Sequence, residues 1–580
     1  MSIPKLRSAQ LITTFGIGSI VDTPEWSCMI AGQDFWMEDR LNKIHEPRLQ
    51  RKLSVPGKPP IVEFRIPKPL KKPRPGQIEI AAVPAVRFPL WHFCPQCRRF
   101  ADLERFGGLG VTICRACSTG NDPKKLIPAR FVVACEDGHI MDFPWHWWVH
   151  RGAACLKSEL EISSTGRSTT LSSISVSCRQ CNRSATLEKV FDPGELVSLP
   201  CQGQRPWLKD RVECGKRLTA IQRGASNVYF AVTESAVSIP PFSSATAKII
   251  EKHWASLSVC DVPEDNRPLL TNIAKKEKKD FGDLWTSYLS RKLYGTTGPT
   301  PDIRGDEYSV LSEPPPMNDL DDFAAESIAI PAGHAWLGRV VLVHRLRVVT
   351  ALDKFSRISS SAGAASPLST TDQDWRPAME VHGEGIFLRP RAEALADWKA
   401  RAGTELTRRV EKLERQRLGI IARGFRTYGS PVTAELLLLH TLSHLLMRAL
   451  ILDCGYSSAA LREMLYVRPA TDASAAMHGF LIYTAAADSE GSLGGLVRQG
   501  QPDRLGSILN DAIETARWCS NDPLCLESES QGTNSLNMAS CHSCSLVPET
   551  ACELFNGYLD RAVVVGTQKN PGLAFFTNVT

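Results

Sequence analysis

WCSNDPLC at residues 518–525 and NMASCHSCSLVPETACELFNGYLDR at 537–561 place Cys519, Cys525, Cys541, Cys544 and Cys552 within thirty-four residues, 519 to 552. Thiols gathered so closely, in a chain whose opening MSIPKLRSAQLITTFG has no apolar signal segment, point to a metal rather than to disulfides. A closed structural zinc takes four ligands, so one cysteine is surplus, either Cys519 or Cys525. The expected set is Cys525, Cys541, Cys544 and Cys552.

The same chemistry recurs toward the N-terminus. Cys94-Pro95-Gln96-Cys97 is followed after sixteen residues by Cys114-Arg115-Ala116-Cys117. Two CxxC knuckles at that separation supply the four thiolates of a zinc ribbon, and the second knuckle argues against a reactive dithiol. Cys178 and Cys181 form a third knuckle, with Cys201 and Cys214 following in the order CxxC-x19-C-x12-C. These four are expected to close a second N-terminal site, with Cys155 a possible substitute for one of the later two. Between the sets lies CEDGHIMDFPWHWWVHRGAAC (135–155), which mixes Cys135, His139, Asp142, His146, His150 and Cys155 with three tryptophans. Thiols and imidazoles together allow another metal site there, with Cys135, His139 or Cys155 as ligands, but the spacing fits no simple knuckle, so the expectation is a packed aromatic core edged by histidines. Two to three zinc ions per chain are expected in all.

At 580 residues, with 43% hydrophobic and 22% charged residues, the chain is long enough for roughly three to five domains with sizeable cores. A net charge of +6 is mild, which excludes a polyelectrolyte and leaves any nucleic-acid surface to a local patch. No run reads as the roughly 18–20 apolar residues that cross a bilayer, so the expected location is the cytoplasm, with no membrane partner. The best basic candidate is RKLSVPGKPPIVEFRIPKPLKKPRPG (51–76), where proline keeps the backbone extended and Lys58, Arg65, Lys68, Lys71, Lys72 and Arg74 are available to phosphate. Arg205 and Lys209, on the loop between Cys201 and Cys214, complete the candidate DNA contacts. FGIGS (15–19) lacks the rest of a Walker loop or dinucleotide fingerprint and reads as a structural turn.

From Asn227 onward, VYFAVTESAVSIPP reads as a strand, and SSATAKIIEKHWASL and KKDFGDLWTSYLSRKLYG as amphipathic helices. GRVVLVHRLRVVTAL (338–352) is one long strand or two, and GEGIFLRP (383–390) another. ALADWKARAGTELTRRVEKLERQRLG (394–419) is a long helix whose arginines and glutamates suggest a salt-bridged solvent face. PVTAELLLLHTLSHLLMRALILDCGYSSAALREMLYV (431–467) reads as two helices; His440 and His444 share a face of the first, and such an HxxxH pair can donate two metal ligands, but without a zincin glutamate and amid apolar neighbours they are expected to be satisfied core histidines. HGFLIYTAAADSEGSLGGLV (478–497) is a strand feeding a small-residue loop with Asp488 and Glu490, and YLDRAVVVG (558–566) a final strand. No GxSxG elbow, Walker loop or ATPase box is present.

LRSAQLITTFGIGSIVD (6–22), CEDGHIMDFPWHWWVH (135–150), LLLHTLSHLLMRAL (437–450) with GFLIYTAAADSEGSLGGL (479–496), and NDPLC with ACELFNGYLDR at the end together resemble the DrmB component of the bacterial anti-phage islands called DISARM. The tail resembles the zinc-binding module of MrfA-type helicases and their accessory proteins. The resemblance implies a subunit acting beside a large helicase-like ATPase, DrmA-like, with the pair engaging single- or double-stranded DNA. The expected fold is therefore mixed α/β and multidomain, with a cysteine-rich, zinc-braced N-terminal region (1–225), a mostly helical middle (226–325), a strand and long-helix connector (326–425) and an α/β C-terminal module with a structural zinc site (426–580). The expected function is a non-catalytic, DNA-associated subunit of a defence complex. The alternatives are an interaction scaffold without DNA contact and a metal-dependent hydrolase or nuclease built on Asp488, Glu490 and nearby histidines.

Overall fold

The computed structural model describes residues 6–7, 9–23, 26–68, 83–120, 122–164, 166, 170–260, 262–293, 300–317, 321–359, 365–422, 429–455, 460–472, 474–485 and 495–577. Lys71, Lys72, Arg74, Asp488 and Glu490 lie outside them. The fold is mixed α/β and multidomain, but its modules share one eight-stranded sheet.

GRVVLVHRLRVVTAL lies in a single strand, Leu337–Ser356, which pairs antiparallel with Trp375–Pro390. The first half of Leu337–Ser356 pairs on its other edge with Ala324–Ile328 and the second half with Phe230–Val237. Trp375–Pro390 divides its free edge in the same way. Its start pairs in parallel with Glu63–Pro67, and its end pairs antiparallel with Met477–Thr484, which in turn pairs with Leu461–Arg468. Leu41–Ile44 extends the sheet beyond Glu63–Pro67. Strands therefore come from all four sequence segments, and the sheet crosses every boundary between them.

The two long strands are buried on both faces, which is why they read as nearly continuous apolar runs rather than alternating ones. Leu342, Ile386, Leu388, Phe480 and Ile482 face a helical layer, while Val341, Val343, Phe387, Leu481 and Tyr483 face the N-terminal segment with Ile12, Ile17, Met29 and Trp207. Register slips between Val343 and Leu346, opposite Gly383–Gly385. Glycine is needed there, because a Cβ at Gly383 would meet Thr484 backbone and side chain and one at Gly385 would crowd Leu481 and Ile482. The intervening Glu384 is buried and accepts the amide hydrogen of Leu496 at 2.7 Å, fixing the start of helix Gly495–Gln499 to the bulge.

The helical layer consists of Ala392–Ala422, Ala434–Cys454, Gly495–Gln499 and Pro502–Thr515. Ala434–Leu452 is long and apolar enough by length and composition to cross a membrane, contrary to the sequence expectation, but here 72% of it is buried against the rest of the fold. Ala392–Ala422 is two helical stretches joined at Gly403, whose backbone is not helical, rather than one continuous helix; it buries Leu395, Trp398, Leu406 and Leu413, pairs Arg408 with Glu405 and Lys412 with Glu529 toward the surface, and also buries Arg409 and Arg417. Two other expectations fail. LREMLYV forms the strand Leu461–Arg468, because alternate side chains fill opposite faces of the sheet. RAVVV forms a short helix, Arg561–Val565, capped by Asp560 through the Ala562 amide. The middle helices Ala245–Lys252 and Phe281–Leu293 are as read, Arg267–Glu277 is an additional helix between them, and the three enclose their own small core of Ile250, Leu270, Leu284 and Tyr288.

In the N-terminal region the aromatic core is present. Trp145 and Trp148 are buried, with Phe100 and Phe143 packed edge-on or tilted at 4.5–5.3 Å. A single guanidinium locks this region onto the long hairpin. Arg357, fully buried, donates to the carbonyls of Gly138 (2.9 Å), Val228 (2.7 Å) and Gly18 (2.7 Å) and lies over the rings of Trp207 and Phe355. Gly16 and Gly18 allow the FGIGS turn to press against Tyr229, Leu352 and Phe355, so that motif serves close packing. Arg357→Ala strands three buried carbonyls and is expected to cost about 3 kcal/mol or more, read as a lowered midpoint in thermal or denaturant unfolding.

Candidate metal centres

Among the described residues four groups of cysteine, two of them with a histidine, converge, each with all ligand atoms within 4.8 Å of one another. Cys94, Cys97, Cys114 and Cys117 form the expected ribbon. Its knuckles are tight turns closed by Arg98 N to Cys94 O and Ser118 N to Cys114 O, both 2.9 Å.

The second expected set does not hold together. Cys178 and Cys181 join His150 and Cys155, whereas Cys201 and Cys214 join Cys135 and His139. The reason is the fold. Cys178 ends a strand that pairs with Leu160–Ser164, close to the end of helix Trp145–His150, while Thr219–Gln222, just beyond Cys214, pairs with Phe131–Ala134 and so returns Cys201 and Cys214 to Cys135. The aromatic-core reading of residues 135–155 is thus half the answer, since the tryptophans pack inward and four other side chains of that segment become ligand candidates. His150 Nδ1 donates to the His146 carbonyl at 2.8 Å, which leaves Nε2 for the cysteine set. Asp142 is no ligand; it accepts the amides of Leu90 and Trp91. His146 bonds Ser158.

The tail is also corrected. Cys519, Cys525, Cys541 and Cys544 form the set, with sulfur separations of 3.5 Å (Cys519–Cys541) and 3.8 Å (Cys525–Cys544 and Cys541–Cys544). Those are close to the roughly 3.8 Å edge of a tetrahedron with Zn–S bonds of about 2.3 Å. Cys552 is the surplus cysteine, and it faces His440, His444 and Glu463 instead.

Hydrogen bonds within the sets hold some sulfurs down while their partners, such as Cys117, Cys135 and Cys525, are pushed up. The Cys525 thiol beside Cys544 holds that sulfur down to about 4. Burial pushes Cys178 up, but the Cys181 amide, His150 and the Gln180 amide together bring it down to about 5. Every cysteine of the four sets is free of disulfides, in keeping with metal ligation. The four sets fit Zn2+, which when bound supplies folding energy rather than chemistry because no coordination position is left open.

The candidate DNA contacts are drawn largely into the chain's own pairs. Arg65 meets Glu63 at 2.6 Å and Glu38 at 3.1 Å and lies over Trp375. Arg205 forms a two-pronged pair with Asp210, and Lys209 sits over Phe35. Lys68 donates to the Asp39 carbonyl, and Lys58 pairs with Asp372 while staying half exposed.

Residues 7–230 match a domain of unknown function (DUF8724), and residues 442–545 match the MrfA Zn-binding domain. A DISARM protein DrmB from Bacillus paralicheniformis is 33% identical over 527 residues, spanning 85% of this chain and 91% of that protein. The chain belongs to the DrmB family. In this DrmB-family chain the first matched region contains three of the four cysteine-rich sets and the second contains the tail set. The crystal structure of the DUF1998 helicase MrfA bound to DNA is 12% identical with a TM-score of 0.19, and the match covers 37% of this chain and 22% of that one, a likeness too slight to bear on the fold.

The regrouping is measurable by elemental analysis of purified protein. Cys519→Ala is expected to lose one equivalent of zinc. The double variant Cys181→Ala/Cys201→Ala is expected to lose two, where a shared site would lose one.

Proposed function

We propose that the chain is a non-catalytic subunit of an anti-phage defence complex, that it binds a helicase-like ATPase, and that it helps that partner engage or sense DNA in the cytoplasm, where thiols remain reduced for metal. The observation that carries this reading is the 33% identity, over 85% of the chain, to a protein named as a DISARM component. The architecture supports a positional role. Zinc-braced modules at both ends of the chain are fixed to one sheet through the long hairpin and Arg357, giving a rigid body on which a partner and a nucleic acid are held at set positions.

Lys58 and Lys68 remain the exposed members of the basic segment that are described, and Arg98 and Arg115 stand exposed on the two knuckles of the first ribbon. These side chains suit phosphate contacts, which position a protein on DNA without reading sequence. The scaffold reading without DNA contact makes the opposite prediction in the same experiment. Binding of single- and double-stranded DNA is measured for the chain alone and with its helicase-like partner between 50 and 200 mM salt. Direct contact is expected to weaken affinity about tenfold or more across that range. Binding by neither, or binding indifferent to salt, leaves the scaffold.

A further inference from the structure

The cysteine set aside by the tail ribbon belongs to a different kind of site. Helix Ala434–Cys454 presents His440 and His444 one turn apart, strand Leu461–Arg468 presents Glu463, and the loop beyond the ribbon presents Cys552. The side chains of His440, His444 and Glu463 are wholly inaccessible, and Cys552 is buried. Glu463 Oε1 lies 3.1 Å from His440 Nε2 and 3.3 Å from His444 Nε2, and His440 Nε2 lies 3.2 Å from Cys552 Sγ. We propose that these four side chains bind a further structural Zn2+ in His2GluCys coordination, distinct from the four cysteine-rich sites. Two of the ligands, His440 and Cys552, fall outside the residues matched to the zinc-binding domain.

Four features of the cluster select a cation over a plain hydrogen-bond network. The ligand-to-ligand distances lie near the edges of a tetrahedron with bonds of about 2.0–2.3 Å, about 3.3–3.6 Å. His444 Nδ1 bonds the Ser545 carbonyl at 2.9 Å, and a carbonyl only accepts. The neutral ring therefore turns an Nε2 lone pair toward Glu463 Oε1, which also offers lone pairs. A metal between them resolves the clash, and a backbone partner on the far nitrogen is the usual support of a histidine ligand. Glu463 Oε2 is occupied by the Ser443 hydroxyl, which leaves Oε1 for the ion.

The sulfur gives the fourth indication. Cys552 Sγ accepts the amides of Leu554 (3.3 Å) and Asn556 (3.2 Å), the arrangement found at the ribbon cysteines, where Asn521 N donates to Cys519 and Gly203 N to Cys201. Amides aimed at sulfur favour thiolate. With a divalent ion bound, the Glu463 carboxylate and a Cys552 thiolate supply the two negative charges that balance it in a dry pocket; without one, burial and the neighbouring Glu463 push the Cys552 thiol well above its usual range. Four protein ligands leave no open position, so the ion braces structure. It ties the central helix, an edge strand and the C-terminal loop together. The adjacent Glu553 ties the same loop to Arg304 and to the Leu465 amide.

The test uses the full chain. Elemental analysis is expected to give five zinc equivalents for the wild type, falling by one in Cys552→Ala and in Glu463→Gln. Cobalt substitution adds a spectroscopic check, since the equivalent lost in Cys552→Ala should carry the weak charge-transfer band of a single thiolate. Anomalous scattering at the zinc edge from wild-type crystals needs no variant to fold and is expected to show a peak among these four side chains. No peak there, four equivalents in the wild type, or an unchanged count in a folded Cys552→Ala overturns the proposal in favour of an imidazolium–carboxylate pair beside a neutral thiol. A peak from a metal other than zinc overturns the assignment of the ion.

Discussion

The pairing of Leu337–Ser356 with Trp375–Pro390 is the interaction on which the rest depends. Each of these strands is long enough to give half of its outer edge to one neighbour and half to another, so the hairpin collects strands from both ends of the sequence. Burial on both faces makes the hairpin a wall with a helical layer on one side and the N-terminal segment on the other. A wall of that kind has no free face on which a module moves independently. Modules with distinct chemistries are held in one frame.

Local signals were legible in the sequence and long-range partition was not. The helices Ala245–Lys252 and Phe281–Leu293, the long helical span from Ala392 and the apolar strand from Leu337 declare themselves by period and run length. The first ribbon was legible because both knuckles lie within twenty-four residues, 94 to 117. The other sets draw ligands across twenty-six (519 to 544) to more than one hundred residues (440 to 552), with further cysteines or histidines in between or nearby, and spacing cannot say which cysteine meets which. Cys201 and Cys214 are taken from Cys178 and Cys181 by a strand pairing that begins only at Thr219. His440 and His444 read as core residues because they are surrounded by leucine. Their partner Glu463 sits in a segment whose alternation was masked by its leucines and methionine, and which was taken for helix. The carboxylate in an otherwise apolar strand was the available signal.

Metal held at its three cysteine-rich sets would let the N-terminal region fold with so little core. Its strands are short, two to five residues each, and its aromatic cluster is small beside those flanking the long hairpin. Small modules of this sort seldom bury enough apolar area to offset chain entropy, and a metal supplies the difference. The C-terminal module differs, since its ribbon is attached to a large core that includes Ala562, Val563 and Val564. There the ligands pin loops onto a body that is already packed, with Arg561 bonding both the Ala516 carbonyl and Asp522 beneath the ribbon.

The parallel pairing of Trp375 with Glu63 carries a consequence for how the molecule comes into being. The partners stand 312 positions apart, 375 against 63. At a synthesis rate of about 5–20 residues per second, an early strand waits some 15–60 s on the ribosome before its neighbour emerges. During that interval Glu63–Pro67 has only Leu41–Ile44 beside it, and its other edge is open to misplaced pairing. The ribbon at Cys94–Cys117, complete within twenty-four residues, closes long before then. Metal captured there would give the nascent chain a first fixed point while the sheet is still missing its middle.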